Sequence, residues 1–185
     1  MAKPEKLSDA PIMQSGDENV AAMIRVNQAG EFGAKRIYAG QLAIMGDRSD
    51  VSASIAHMAE QEERHLDEFN TIMAQRGDRP TLLHPIWNVA GYALGAVTAA
   101  IGPEAAMACT AAVETEIDKH YEDQLQELGD SDPELSAKIR DFQAEELEHK
   151  ATAIAAGAER APGYPVMSAI IRLGCRAAIG VSKRI

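Results

Sequence analysis

Two stretches of the chain decide its fold: IAHMAEQEERHLDEFNTI at residues 55–72 and IRDFQAEELEHKATA at residues 139–153. In each, apolar residues recur at steps of three or four and so share one face of an α-helix. That face is interrupted by a glutamate and, three residues later, a histidine; the four are Glu62, His65, Glu146 and His149. A carboxylate on a core-facing stripe is costly to bury without a partner, so both helices predict a shared polar centre.

An internal repeat connects these helices to the two that precede them. Ile55, Met58, Glu62 and His65 recur 84 positions later as Ile139, Phe142, Glu146 and His149. Upstream, and 83 positions apart, Ile24, Glu31, Tyr38 and Leu42 recur as Met107, Glu114, Tyr121 and Leu125. Generic amphipathic helices share apolar periodicity, but they are not expected to place a glutamate at the same step of both hairpins. The repeat therefore predicts two αα-hairpins that contribute to one centre.

The polar residues of this repeat match a metal-binding pattern. One inward glutamate from each of two helices, with Glu-x-x-His from each of the other two, is the ligand set of di-iron and di-manganese bundles. The predicted ligands are Glu31, Glu62, His65, Glu114, Glu146 and His149. Four ionised glutamates balance two divalent cations, and the mixture of oxygen and nitrogen donors suits iron or manganese. Without metal the protein is expected to be less stable, because four carboxylates would repel in the core.

The pattern predicts an all-α fold, a ferritin-like four-helix bundle of two αα-hairpins plus an apolar connecting helix and a C-terminal amphipathic helix. The expected ranges are 18–75 and 103–156 for the hairpins, 85–103 for the apolar segment and 166–181 for the last helix. Residues 1–16 are expected to be flexible, and 17–185 to form a single domain. Ser49 or Asp50 should cap the second helix of the bundle and Asp132 the fourth.

Composition excludes several classes of protein. The net charge of −10 argues against a general nucleic-acid binder, which needs basic patches to neutralise phosphates. Cys109 and Cys175 form no CxxC and lie too far apart for a zinc site, so buried reduced thiols are expected. The first residues show no secretory or organellar signal.

Two apolar segments lie outside the repeat. Residues 85–103, PIWNVAGYALGAVTAAIGP, carry no charge, but Gly102-Pro103 breaks them, which favours an interfacial or buried helix over a membrane span. Residues 165–185 mix apolar positions with Arg172, Arg176, Lys183 and Arg184. That mixture fits a basic amphipathic helix on an anionic membrane, and equally a helix packed against the bundle. Together the segments suggest a lipid-like substrate that reaches the metals from a bilayer surface.

Other polar residues are weaker candidates. His120 and Tyr121 lie about two turns beyond Glu114 and are predicted to assist electron or proton movement near the metals. His57 and His84 have no partner spacing and are expected in ordinary core or surface roles. The acidic neighbours of the ligands, Glu63, Glu145 and Glu148, are expected around the ligands or on the surface. Glu116 and Asp118 are expected on the surface.

Several stretches resemble the demethoxyubiquinone hydroxylase family of ubiquinone biosynthesis. They are NQAGEFGAKRIYAGQ around Glu31, EERHL, AMACTAAVE, KHYEDQ, EELEH and IIRLGCRAAIGVSKRI. The resemblance extends from about Ala21 to Ile185, includes stretches without ligands, and looks bacterial in type. It implies a peripheral membrane mono-oxygenase, on the cytoplasmic side of the cell membrane, with two iron ions per chain.

The resemblance also implies a substrate and partners. The substrate would be a polyprenylated methoxy-methyl benzoquinol, whose ring is hydroxylated with O2 and electrons from the quinol, NADH or another reductant. The family's six metal ligands carry over to the residues named above, and His120 and Tyr121 match positions implicated in electron delivery. The family is also linked to a lipid-binding protein of the same pathway.

Three alternatives remain open on the residues alone. A ferritin-like ferroxidase or iron-storage protein predicts cage assembly and no affinity for membranes. A metal-free, membrane-associated helical interaction module predicts that no iron co-purifies and that loss of Glu62 and Glu146 is harmless. A manganese catalase would share the ligand set.

Overall fold

The computed structural model describes residues 15–47 and 49–185, and within them the chain forms helices and turns and no strand. The helices are α1 (Ser15–Met45), α2 (Ser52–Arg76), α3 (His84–Ile101), α4 (Pro103–Leu128), α5 (Pro133–Ala155) and α6 (Tyr164–Ser182). A short 3₁₀ turn, Ala158–Arg160, lies between α5 and α6. The predicted all-α class is confirmed. Most of the predicted flexible segment, residues 1–14, lies outside the described residues.

Helices α1 and α2 pack together, as do α4 and α5, and the two hairpins meet through α1 with α4 and α2 with α5. One end of the bundle core is mostly aromatic and branched, with Phe69, Phe142 and Tyr121 among its buried residues. The other end is rich in alanine and includes Tyr38 and Met58. The buried glutamates and histidines of the repeat belong to the same four helices that supply most of these two apolar clusters.

Helix boundaries follow local chemistry. The predicted cap Asp132 is confirmed, since its carboxylate accepts a hydrogen bond of 3.0 Å from the backbone N–H of Leu135. The predicted cap of α2 is wrong. That helix starts at Ser52 with no side-chain cap, because Ser49 forms a preceding turn in which its carbonyl accepts from the Ser52 N–H. Helix α6 starts at Tyr164, two residues before its predicted start.

Helix α3 lies directly on α1 because glycines allow the two backbones to approach closely. A Cβ atom on Gly95 would lie 1.9 Å from the carbonyl oxygen of Ile37, and one on Gly40 would lie 2.2 Å from that of Tyr92. Any side chain at these two positions would therefore push α3 away from α1. The opposite side of α3 exposes Ile86 and Val89 among other apolar residues.

Helix α6 packs against α4 and α1. Among the described helices it alone is long and apolar enough to cross a membrane, judged by length and composition. Its contacts with the bundle instead place it along the protein surface, with Val166, Ile170 and Leu173 exposed. Helices α3 and α6 thus bring exposed apolar residues to the outside of the bundle.

Candidate metal centre

The six predicted ligands come together inside the bundle, where each is at least 97 % buried. They form two groups, in each of which the ligand atoms lie within 4.8 Å of one another. The first group is Glu31, Glu62, His65 and Glu146, and the second is Glu62, Glu114, Glu146 and His149. Because Glu62 and Glu146 belong to both groups, the arrangement resembles two adjacent metal positions bridged by two carboxylates.

Both histidines turn Nδ1 toward the carboxylates. Nδ1 of His65 lies 3.1 Å from Glu146 Oε1 and 3.5 Å from Glu31 Oε2. Nδ1 of His149 lies 3.0 Å from Glu146 Oε2 and 3.3 Å from Glu62 Oε1. The two Nδ1 atoms therefore face the same space as the carboxylate oxygens, and the two Nε2 atoms face away from it.

Several of these buried atoms lack a hydrogen-bond partner. They are Glu62 Oε1, both carboxylate oxygens of Glu146, and Nδ1 of His65 and His149. Buried polar atoms are rarely left unpaired, because the lost solvation is not recovered. All five belong to the residue types that bind divalent metals, so two cations at these positions would supply the missing partners. The residues present therefore fit a two-metal centre.

The electrostatics of the cluster also favour cations. Burial, followed by repulsion from Glu146 and Glu31, raises the pKa of Glu62 well above its ordinary range. Burial and Glu146 likewise raise the pKa of Glu114. Burial lowers the pKa of His65, but Glu146 and Glu31 raise it more, to about 10. The carboxylates thus retain protons or draw one onto the imidazole unless a cation neutralises them.

Two tyrosines of the repeat support the glutamates across the hairpins. The Tyr38 hydroxyl on α1 donates to Glu114 Oε1 on α4 at 2.9 Å. The Tyr121 hydroxyl on α4 donates to Glu31 Oε1 on α1. Burial, and then the nearby carboxylates, raise the pKa of both phenols, so both remain neutral hydrogen-bond donors. Each hairpin therefore orients the inward glutamate of the other.

A further shell of side chains contacts the outward Nε2 atoms of the histidines. His65 Nε2 lies 3.1 Å from Glu145 Oε2, and His149 Nε2 lies 3.0 Å from Gln61 Oε1. Arg64 donates to the same Glu145 oxygen. Glu145 was predicted around the ligands or on the surface, and it contacts a histidine. Gln61 escaped the sequence analysis, although it lies 84 positions before Glu145 and is therefore its equivalent in the repeat.

An apolar pocket of about 380 Å³ reaches the cluster. Residues of α1, α3, α4 and α6 line it, and Glu31 and Tyr121 are among them. The two helices outside the repeat supply part of its wall, and the indole N–H of Trp87 on α3 donates to Ser182 Oγ on α6 at 3.2 Å. The pocket therefore joins the predicted centre to the apolar helices α3 and α6.

His120 and Tyr121, predicted to lie near the metals, both line this pocket. His120 Nε2 lies 2.8 Å from Gln124 Nε2, and Gln124 exchanges two amide hydrogen bonds with Asn27. Burial, and then the charge of Lys183, lower the pKa of His120 to about 4, so its imidazole is neutral near pH 7. Sequence reasoning missed Asn27 and Gln124, because a neutral amide on a helix gives no pattern of its own.

The geometry agrees with a family assignment. A model of the family described as ubiquinone biosynthesis protein COQ7 matches residues 18–182. The chain belongs to this family. The predicted resemblance to the demethoxyubiquinone hydroxylases is therefore confirmed.

Curated members of the family are similar along most of their length. The 3-demethoxyubiquinol 3-hydroxylase of Rhodospirillum rubrum is 52 % identical over 174 residues, which cover 92 % of this chain and 82 % of that protein. The mitochondrial NADPH-dependent 3-demethoxyubiquinone 3-hydroxylase of Homo sapiens is 49 % identical over 170 residues, covering 90 % and 78 %. The mitochondrial 5-demethoxyubiquinone hydroxylase of Saccharomyces cerevisiae is 40 % identical over 201 residues, covering 98 % and 86 %.

One sequence prediction about this member of the family is wrong. Glu116 was expected on the surface, but it is 97 % buried. Its Oε1 atom accepts from Arg172 Nε at 2.6 Å and from Arg176 Nη1 at 2.8 Å, both on α6. The helical pattern of α4 could not show this, because the arginines that make burial of the carboxylate tolerable come from a distant part of the chain.

The remaining candidates have ordinary environments. His57 is exposed. His84 stacks on Phe32 with ring centroids 4.2 Å apart and hydrogen-bonds Gln28 at 2.9 Å. Asp118 is partly buried and accepts a hydrogen bond from Gln143 at 2.9 Å.

The two cysteines, Cys109 and Cys175, are free thiols. Cys109 is buried, whereas Cys175 is only partly so. Burial raises the pKa of both to about 12. Both thiols are therefore protonated and unreactive near pH 7.

Proposed function

We propose that this chain is a di-iron mono-oxygenase that hydroxylates the ring of a polyprenylated methoxy-methyl benzoquinol, demethoxyubiquinol, in ubiquinone biosynthesis. The observation that carries the proposal is an apolar pocket that has Glu31, one of the buried carboxylates, in its wall. The chain belongs to a ubiquinone biosynthesis family, and its curated relatives are named as demethoxyubiquinol hydroxylases. Both facts favour this reaction over iron storage or a purely structural role.

The pocket has the chemistry expected for a prenylated quinol. Its wall is mostly aliphatic, with Val26, Ile37 and Leu94 as examples, which suits an isoprenoid tail. Its polar groups include Asn27, Glu31, His120, Tyr121 and Ser182. A quinol ring near Glu31 would therefore find hydrogen-bonding groups, and its tail would follow the aliphatic wall between α3 and α6.

The ligand residues would hold two iron ions, as Fe(II) in the reduced enzyme. When bound, the irons would supply activation of O2, Lewis acidity and redox equivalents. Glu31, Glu62, His65 and Glu146 would hold one ion, and Glu62, Glu114, Glu146 and His149 would hold the other. The hydroxyl groups of Tyr38 and Tyr121 hold Glu114 and Glu31 in place. The buried cluster also keeps bulk water from the reacting atoms.

The reaction balances with an external two-electron donor. One atom of O2 enters the ring C–H bond to give C–OH, and the other leaves as water after uptake of two electrons and two protons. His120 and Tyr121 are proposed to assist proton or electron movement: both line the pocket, and the Tyr121 hydroxyl donates to Glu31. The proposed donor is a reduced nicotinamide nucleotide, either NADH or NADPH. The names of the mouse and human relatives describe those enzymes as NADPH-dependent.

The exposed apolar residues of α3 and α6 support a peripheral association with a membrane, proposed on the cytoplasmic side of the cell membrane. Val89 on α3 and Ile170 on α6 are about two-thirds exposed, and α6 also contributes to the pocket wall. A substrate with a long tail could thus move from lipid to the centre without crossing water. The same surface could receive the proposed lipid-binding protein of the pathway.

The decisive experiment uses the full chain loaded anaerobically with Fe(II). Demethoxyubiquinol in detergent, oxygen and NADH are added, and the product is detected by mass spectrometry as a gain of one oxygen atom. Two irons per chain and product formation, both lost in Glu146→Ala, are expected. Glu148→Ala, an exposed carboxylate on the same helix, is the matched control.

Other outcomes redirect or overturn the proposal. Two irons without hydroxylated product would exclude the quinol reaction and favour a ferroxidase. No uptake of iron would overturn the metal centre itself. Tighter binding of manganese with rapid loss of peroxide would point to a catalase.

A further inference from the structure

The repeat is broken at the pair of positions 61 and 145, whose side chains contact the outer nitrogens of the predicted histidine ligands. The six ligands and the two supporting tyrosines have the same residue types in both hairpins. Positions 61 and 145, each immediately before the bridging glutamate of its helix, instead hold Gln61 and Glu145. This difference matters because both side chains contact the outer nitrogen of a histidine.

The two histidines donate across the hairpins to different partners. The Nε2 atom of each imidazole faces an oxygen acceptor, so each Nε2 carries a ring hydrogen. His65 Nε2 on α2 therefore donates to the Glu145 carboxylate on α5 at 3.1 Å. His149 Nε2 on α5 donates to the Gln61 amide oxygen on α2 at 3.0 Å. One imidazole thus meets a charged acceptor and the other a neutral acceptor.

The orientation and charge of these partners follow from their own contacts. Gln61 Nε2 donates to Glu145 Oε2 at 3.0 Å, which leaves Gln61 Oε1 for His149. Arg64 donates to the same carboxylate. Glu145 is thus a carboxylate paired with the Arg64 guanidinium, whereas the side chain of Gln61 is a neutral amide.

A carboxylate that accepts the Nε2–H hydrogen bond increases electron density on the imidazole and makes Nδ1 a stronger metal donor. An amide oxygen does this to a smaller degree. We infer that the two metal positions are unequal: the His65 position binds its divalent ion more tightly, and favours its higher oxidation state more, than the His149 position. The inference rests on the proposed function only for the presence of two metals.

The two proposed metal positions also differ in their distance from the substrate pocket. Glu31 belongs to the His65 position and lines the pocket. Glu114 belongs to the His149 position and is hydrogen-bonded to Tyr38, which packs in the alanine-rich core. The more tightly bound metal is thus the one beside the pocket, and the more labile metal is the one farther from it.

The test measures metal affinity without substrate or turnover. In His149→Ala only the His65 position keeps its imidazole, and in His65→Ala only the His149 position does. Anaerobic titration of each chain with Co(II), followed by its visible absorption, should give a dissociation constant 10- to 100-fold lower for His149→Ala. Glu148→Gln in each background removes an exposed carboxylate and should leave both constants unchanged.

A swap of the two partners keeps the total charge and tests the cause. In Gln61→Glu/Glu145→Gln the carboxylate faces His149 instead of His65. When this swap is combined with His149→Ala or with His65→Ala, the order of the two Co(II) dissociation constants should reverse. ⁵⁷Fe Mössbauer spectra of the doubly loaded chain provide a second measurement, since the two irons should give distinct doublets. Circular dichroism identifies any swapped chain that does not fold, and Glu145→Gln alone then serves, with a selective loss of affinity at His65.

Equal constants in the two single variants, or an order that the swap leaves unchanged, would overturn the inference. The proposed hydroxylase reaction would be untouched by that result. Conversely, unequal positions in a chain that fails to hydroxylate the quinol would support the inference and reject the reaction. Absence of Co(II) binding would reject both.

Discussion

The four bundle helices and the α3/α6 pair differ in which side chains they bury and which they expose. In the repeat α4 corresponds to α1 and α5 to α2, and these four helices bury titratable side chains in the core. Helices α3 and α6 have no counterpart in the repeat and instead expose apolar side chains. The pocket lies where the two regions meet. The repeated region thus provides the proposed chemistry, and the other region determines which molecule reaches it.

The largest expected effect comes from removing the proposed metals, which would weaken only the repeated region. Each of the two proposed irons, at 1,000 times its dissociation constant, would stabilise the folded chain by about 4 kcal/mol. A chelator should remove this contribution at both positions. Chemical unfolding of the loaded and chelated protein measures the difference. Equal unfolding free energies would show that the bundle does not depend on metal.

Glu62→Gln is the matched variant for that comparison. The raised pKa of Glu62 means that the folded chelated chain binds more protons than the unfolded chain. Its stability therefore falls as pH rises above the ordinary glutamate value of 4.5. Glu62→Gln should reduce this slope and stabilise the chelated protein at pH 7, while weakening metal binding. A lower stability of the chelated variant would contradict the predicted repulsion.

A somewhat smaller effect is expected at His120, where the two regions meet. Its pKa is lowered from 6.5 to about 4, so the unfolded chain binds a proton that the folded chain excludes. The associated stability, about 3 kcal/mol, is complete above pH 6.5 and is lost as pH falls toward 4. His120→Gln should flatten this part of the stability curve, measured with chelator present. The exposed His57 provides the control, His57→Gln.

The comparison also explains what the sequence could predict. The proximity of the six proposed ligands could be predicted, because a buried glutamate is costly and its recurrence after 83 or 84 positions is unexpected by chance. Burial of Glu116 was not, since its partners Arg172 and Arg176 look like ordinary basic residues of α6. Contacts between helices that are not related by the repeat produce no periodic pattern in the sequence. Gln61 and Glu145 occupy equivalent positions of the repeat, so their difference is visible in the sequence, whereas their contacts with the histidines require the structure.

Glu116→Gln tests whether α6 is held by this buried carboxylate. Hydrogen bonds to a charged group contribute about 2 kcal/mol, and the exposed arginines keep water as an alternative partner. We expect a loss of up to about 2 kcal/mol, faster hydrogen exchange in α6 and a higher KM for the quinol. Co(II) affinity should be unchanged. Glu122→Gln, an exposed carboxylate on α4, is the control, and a change in metal affinity would instead couple α6 to the centre.

The smallest change in stability is expected for two glycine substitutions, one in the pocket wall and one outside it. A Cβ atom on Gly33 or on Gly180 would meet no atom within 4 Å, but only Gly33 lines the pocket. Replacing glycine within a helix with leucine favours folding by up to about 1 kcal/mol, so Gly33→Leu and Gly180→Leu should both be slightly stabilising. Only Gly33→Leu extends a side chain into the pocket, and it should raise the KM for a long-tailed quinol several-fold while both metals remain bound. A short-tailed quinol should be affected less, because the aliphatic wall then holds less of the substrate. If both variants changed KM equally, the pocket would not be the route to the centre, and the α3/α6 pair would need another role.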